Sequence, residues 1–225
     1  MDIVLVTLNS NKDFTRTVKP LSDPLVVHAV AGAGKSTLLK SWVLRSSKIC
    51  VHSLGVFDLG IQGRTEAELK VLDEYQLASS VEGFQVLVGD PLQGDSHLIL
   101  EPHFVSLRSY RFGSTTCALL QSVGIEAYSS RFDEVRLENI WSAVTPFPEP
   151  IIAIGEEVHQ LLTQQGLKPK RVCEVQGGTY DSVTVVVDRK LRDIPKHTLY
   201  VALTRHRYLL RVLSPNVTAS KAIRL

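Results

Sequence analysis

Apolar residues along this chain fall into short runs that alternate with stretches of helical spacing. In the first half, 25–29 (LVVHA), 49–53 (ICVHS), 69–73 (LKVLD) and 84–89 (FQVLVG) read as strands, and 36–46 spaces its apolar positions for a helix. In the second half, 115–123 (TTCALLQSV) reads as a helix, 151–155 (IIAIG) as a strand and 156–164 (EEVHQLLTQ) as a helix. RVCEV (171–175) and VTVVV (183–187) read as strands, TLYVALTR (198–205) as a helix and YLLRVL (208–213) as a last strand. Continuous apolar strands alternating with helices predict parallel sheets covered on both faces, an α/β fold. TPFPEP (145–150) reads as a Pro-rich loop, and there is no internal repeat or low-complexity stretch.

Composition narrows the class without naming an activity. With 225 residues the chain holds one large domain or two of about 110 residues each. Its 44% hydrophobic and 21% charged residues are ordinary for a globular protein. No segment approaches the roughly 20 apolar residues of a membrane span. The first residues, MDIVLVTLNSNKDF, carry an acid at position 2 and no basic lead, so a signal peptide is not expected. Cys50, Cys117 and Cys173 are widely spaced, which predicts buried free thiols rather than a zinc site. Charge is lopsided: 1–165 hold 13 Lys+Arg and 19 Asp+Glu, while 166–225 hold 12 Lys+Arg and 4 Asp+Glu. A basic C-terminal third suits a polyanion such as RNA, or is simply a solvated basic face.

The stretch VVHAVAGAGKSTLL (26–39) is a strand, a small-residue loop and a helix start. It fits the phosphate-loop pattern GxxxxGK[ST] over residues 29–36, with Ala29 in the place of the first Gly. Gly32, Ala33 and Gly34 would let backbone N–H groups close around a phosphate, and Lys35 would reach the β- and γ-phosphates. Ser36 would ligate Mg²⁺, with Thr37 beside it at a helix N-terminus that favours anions. Asp73 and Glu74 end an apolar run, where ligands bind in parallel sheets. Asp73 is expected to hold Mg²⁺ and Glu74 to take a proton from the attacking water. Gln93, after the turn Gly89-Asp90-Pro91, is a candidate γ-phosphate sensor. Arg111 and Arg205 are candidate cationic fingers.

The ordered set AVAGAGKST, VLDEY, LVGDPLQ, SYRFG, EVQGGTYDSV and YVALTRHR resembles the viral superfamily 1 RNA helicases, across residues 26–207. The short chain opening MDIV, with PLVVHAVAGAGKST, looks like the triple gene block movement-protein branch found in potexvirus-like plant viruses. The resemblance implies two RecA-like lobes with parallel sheets, 1–113 and 114–225, and nucleotide in the cleft. It implies an RNA-stimulated NTPase and helicase that uses ATP with Mg²⁺ and binds single-stranded viral RNA. It also implies transport of that RNA through plasmodesmata and suppression of host RNA silencing. The expected partners are other viral movement proteins, coat protein and host silencing components, with a homo-oligomer allowed. The expected location is the host cytoplasm, at plasmodesmata or in inclusion bodies. By the same resemblance Gln176, Gly177 and Thr179 would couple RNA to nucleotide. His52 falls where the family has a nucleic-acid contact, or else it packs.

Two departures from the family pattern matter. Ala29 replaces a Gly, and no Gln precedes the loop, the first being Gln62, so hydrolysis of several NTPs is expected. The size leaves little room for accessory domains, which predicts weak, poorly processive unwinding. His28 is expected to pack beside the loop; Tyr75 either contacts RNA or packs; Trp42 and Trp141 read as core or interface rather than as base-stacking platforms. Two rival readings stay open: a small phosphate-loop kinase, against which the Asp73-Glu74 pair and the distal VALTR argue, and an RNA-binding protein whose NTPase is only a switch.

Overall fold

The computed structural model describes residues 1–55, 67–94, 98–144, 146–217 and 221–223, so Gln62 and His97 lie outside it. The chain forms two compact units, Met1–Arg108 and Ser109–Leu225.

The first unit runs α1 (Asp2–Ser10), β1 (Thr15–Arg16), β2 (Leu25–Ala29), α2 (Lys35–Arg45), β3 (Ile49–Ser53), β4 (Leu69–Asp73), β5 (Val86–Gly89) and β6 (Phe104–Ser106). The sheet order is β1-β6-β2-β5-β4-β3, parallel throughout except for the antiparallel edge strand β1. Alternation along the strands splits the core in two. Val27, Val51, Val71, Val86 and Val88 pack with Val4 and Leu8 of α1 and with Leu38, Leu39 and Trp42 of α2. Val26, Leu72 and Leu87 face the other way, onto Tyr75. Trp42 is thus core.

α1 is an element that the sequence reading passed over. Its buried residues, Val4 and Leu8, sit four apart on one helical face. The surrounding apolar residues obscure that spacing.

The second unit runs α3 (Ser114–Ser122), β7 (Glu134–Asn139), β8 (Ile151–Ile154), α4 (Glu156–Gln164), β9 (Lys170–Arg171), α5 (Val172–Val175), β10 (Tyr180–Val187), α6 (Lys196–Leu203), β11 (His206–Ser214) and β12 (Lys221–Ile223). Its sheet, β12-β7-β11-β10-β8-β9, is parallel apart from β12. Ile151, Ala153, Val186 and Leu213 pack against Val158 and Leu162 of α4.

Three expectations change here. RVCEV is not a strand: only Lys170–Arg171 pairs, and 172–175 turn into the short helix α5. The Glu174 carboxylate accepts from the Arg171 backbone N–H at 2.6 Å, which closes a helical turn in place of a ladder. YLLRVL is not the last strand, because β12 follows it. Finally, residues 109–113, read with the first lobe, pack with the second unit. The Ser109 N–H donates to Tyr128 O at 2.9 Å and the Gly113 N–H to Asp133 Oδ2 at 2.7 Å.

Candidate nucleotide site

The loop leaves β2 at Ala29, which is buried and pairs in register with Ser106 of β6. That residue is still strand, so a side chain is accommodated where the pattern has Gly. The turn proper comes later. Gly32 and Gly34 have φ of 77° and 86°, a backbone region that L side chains rarely adopt. Gly34 caps α2, and the Leu38 N–H closes the first helical turn on Gly34 O at 2.9 Å. The N–H groups of Lys35, Ser36 and Thr37 therefore meet no carbonyl of their own helix. Ser36 and Thr37 are exposed. The Lys35 ammonium folds back over the loop, donating to Ala29 O at 2.8 Å and Val30 O at 3.5 Å.

Asp73 ends β4 opposite Ser53. Ser53 Oγ donates to Asp73 Oδ2 at 3.0 Å, and Asp73 Oδ1 is buried without a hydrogen-bond partner. Burial and the neighbouring Glu74 push the Asp73 carboxyl up to about 6, with Lys35 and the Ser53 hydrogen bond pulling the other way. A buried carboxylate oxygen without a hydrogen-bond partner fits a divalent cation, and the exposed Ser36 hydroxyl is a candidate second ligand. Mg²⁺ keeps waters and substrate oxygens, and the described residues hold no cluster of three or more His, Cys, Asp or Glu suited to a metal.

Glu74 has φ 55° and ψ 39°, left-handed for a non-glycine residue, among the conformations that concentrate at functional sites. Its carboxylate accepts from the Gln76 side-chain amide. Gln76 Oε1 accepts from the Asp90 N–H at 3.2 Å, and Asp90 Oδ2 accepts from Gln93 Nε2 at 2.8 Å. Gln76 escaped the sequence reading; the signal was a polar residue two positions past the acid pair in an otherwise apolar context. Tyr75 is fully buried, so the packing alternative holds. Its hydroxyl accepts from the Leu100 N–H at 3.2 Å and lies 2.7 Å from His28 Nε2. Burial and Lys19 hold His28 down at about 4, so at neutral pH the ring is uncharged and shares a single proton-bearing hydrogen bond with the Tyr75 hydroxyl. His52 is exposed, with its ring edge on Phe84 and Nε2 3.4 Å from Cys50 Sγ.

In the second unit Arg111 and Arg205 converge on one residue. Arg111 Nη1 donates to Thr204 O at 3.4 Å, and Arg205 Nη2 donates to Thr204 Oγ1 at 2.8 Å. Arg205 is fully buried, and its Nε donates to Val201 O at 2.9 Å. Arg205 O accepts from the Tyr180 N–H at 2.8 Å, which joins YVALTRHR to the strand that follows EVQGGT. Gln176 ends α5, Gly177 has φ 78°, and Thr179 is exposed just before β10. The sequence reading missed Asp133. Its carboxylate caps α3 through the Gly113, Thr115 and Thr116 N–H groups and lies 3.0 Å from His206 Nε2.

Of the three cysteines expected to be buried thiols, Cys50 and Cys117 are buried and free, whereas Cys173 is exposed and free. No described helix is long and apolar enough to cross a membrane. Trp141 is 80% exposed, so it is not a core residue.

Comparison with known proteins places these features. The model of the viral superfamily 1 RNA helicase core domain matches residues 25–214. The movement and silencing protein TGBp1 of Apple stem pitting virus (isolate PA66) is 36% identical over 225 residues, covering 95% of this chain and 100% of the relative. The protein of the same name from Potato virus X (strain CP) is 38% identical over 221 residues, covering 93% of this chain and 97% of the relative. Among solved structures, the Arterivirus nonstructural protein 10 helicase superposes with a TM-score of 0.54 at 15% identity over 96% of this chain. The chain spans 57% of that helicase's length. The same helicase in complex with DNA superposes with a TM-score of 0.51 at 15% identity, covering 86% of this chain and 54% of that one. At such identity the likeness is one of fold.

Proposed function

The chain belongs to the viral superfamily 1 RNA helicases, which are NTP-hydrolysing enzymes, and on that premise we propose that it couples RNA-stimulated ATP hydrolysis to the movement of viral RNA between host cells. The observation that carries the catalytic half is Asp73 Oδ1, buried without a partner and under the influence of Lys35. Names of relatives support the movement and silencing half.

The roles follow from the side chains. Lys35 would exchange the Ala29 and Val30 carbonyls for phosphate oxygens, and the N–H groups of Gly32 to Thr37 would cradle the same anion. Ser36 and Asp73 would hold Mg²⁺, which would supply positive charge to offset that of the phosphates. Glu74 would accept the proton of the attacking water. Gln93 would respond to the γ-phosphate, and Arg111 and Arg205 would offset charge on the transferred phosphoryl group. Gln176, Gly177 and Thr179, with His52, would touch RNA. Several NTPs would serve besides ATP.

Single-stranded viral RNA, other viral movement proteins, coat protein and host silencing components are the proposed partners, in the host cytoplasm, at plasmodesmata or in inclusion bodies. Lys35→Ala in a movement-deficient virus and in a silencing-suppression assay tests the coupling. Loss of movement supports hydrolysis-driven transport. Retention of both roles would show them separable from the nucleotide site, whereas loss in Lys35→Ala with retention in Glu74→Gln would favour the second reading, an RNA-binding protein whose NTPase acts as a switch.

A further inference from the structure

We propose that Gln76 is a positioning residue, holding the Glu74 carboxylate in register with the turn that carries Asp90 and Gln93. It rests on the reading of Glu74 as the base. Gln76 is 1% exposed, so its amide has to satisfy both ends inside the protein. Its Nε2 donates to Glu74, and its Oε1 accepts from the Asp90 N–H at 3.2 Å. Asp90 in turn accepts from the Leu92 N–H at 3.2 Å and from Gln93 Nε2 at 2.8 Å. The result is a continuous line of hydrogen bonds from Glu74 to Gln93 that crosses between two strand ends. A side-chain amide gives a donor to a carboxylate and an acceptor to a backbone N–H at once, whatever the pH. A leucine or methionine here gives neither, and an ionised glutamate gives only the acceptor.

The surroundings are built to this amide. A Cβ on Gly89 would lie 2.3 Å from Gln76 Oε1 and 2.8 Å from Tyr75 Cδ1, and one on Gly94 would lie 3.0 Å from Gln76 Cγ. Tyr75, the residue before, is pinned by Leu100 and His28. Glu74 itself is held in a left-handed backbone conformation that side chains rarely adopt. Gln76 is the side chain that donates to its carboxylate. A shift of the Asp90–Gln93 turn reaches Glu74 through two hydrogen bonds.

The test uses Gln76→Met and Gln76→Glu, each alone and combined with Glu74→Gln. Melting temperature establishes folding, and titration with a fluorescent nucleotide establishes binding. Gln76→Glu keeps the acceptor for Asp90 and exchanges the donor to Glu74 for a second carboxylate, while Gln76→Met removes both hydrogen bonds without adding charge; agreement between the two separates lost positioning from added charge, and Gln76→Glu carries the test if Gln76→Met fails to fold. Either substitution is expected to lower kcat at least about tenfold, with KM and nucleotide affinity within about twofold of the unmodified chain. Glu74→Gln is expected to leave a small residual rate, and on that rate neither substitution has a further effect. An equal fold-loss on both backgrounds, or a loss that appears in KM and nucleotide affinity rather than in kcat, would overturn the positioning role alone. Full turnover by Glu74→Gln by itself would overturn the base reading and the proposal with it.

Discussion

Asp73 and Gly89 show how single residues carry the site. Asp73 is a carboxyl that the apo protein holds at about 6, so the folded chain binds its proton more tightly than the unfolded chain does. Stability at this position is therefore full below pH 4 and is lost as pH rises through 6. Asp73→Asn removes that penalty, and its melting temperature at pH 7 should rise by about 2–6 °C while Mg²⁺-dependent turnover disappears. The same proton competes with the cation, so Mg²⁺ affinity measured in the presence of nucleotide should fall steeply below pH 6. Gly89→Ala forces a methyl into Gln76 and Tyr75; thermal melts should show a loss of about 1–3 kcal/mol, and turnover should fall further than the melt accounts for. Lys35, Ser36, Asp73 and Glu74 were legible in the sequence because a phosphate loop and an acid pair are local patterns. Gln76 was not, because what makes it matter is Asp90, fourteen residues on and one strand away.

At the scale of elements, the parallel strands were legible because strands covered on both faces must be apolar throughout, and β2, β3 and β4 begin and end as read. β7 was not, since Glu134, Arg136 and Glu138 break its apolar run. Those charges are met by partners: Arg136 pairs with Glu134 at 2.8 Å, and Arg211 of β11 pairs with Glu138 at 2.7 Å. α5 was misread because Val172, Val175 and Cys173 look like strand residues until Glu174 turns back on Arg171. Asp133 ties α3 to the start of β11. Burial pushes its carboxyl up, but hydrogen bonds from His206, Thr116 and the Gly113 N–H outweigh burial and hold it below its ordinary range. Its stabilisation is thus present above about pH 4 and is lost as pH falls below that. Asp133→Ala should cost about 3 kcal/mol or more at pH 7, read by urea denaturation, and much less at pH 3. A deficit that is the same at both pH values would contradict the assignment.

For the whole molecule, the charge asymmetry seen in the sequence has a physical seat. Arg171, Arg189 and Arg207 of the second unit pair with Glu156, Asp188 and Asp181. Lys168, Lys170, Lys190 and Arg192 are exposed and form no ion pair among the described residues. If RNA phosphates meet these four, the logarithm of RNA affinity should fall against the logarithm of salt with a slope steeper than about −2. Lys190→Ala with Arg192→Ala should flatten it by about 1 to 2. An unchanged slope would move the RNA contact elsewhere. More narrowly, we propose that the first unit hydrolyses nucleotide through Glu74 and that RNA accelerates it. The deciding experiment is steady-state NTP turnover with and without single-stranded RNA, alongside Glu74→Gln. RNA is expected to stimulate turnover, and Glu74→Gln to reduce it to a small residual rate while nucleotide still binds; turnover indifferent to RNA, or untouched by Glu74→Gln, would refute the proposal.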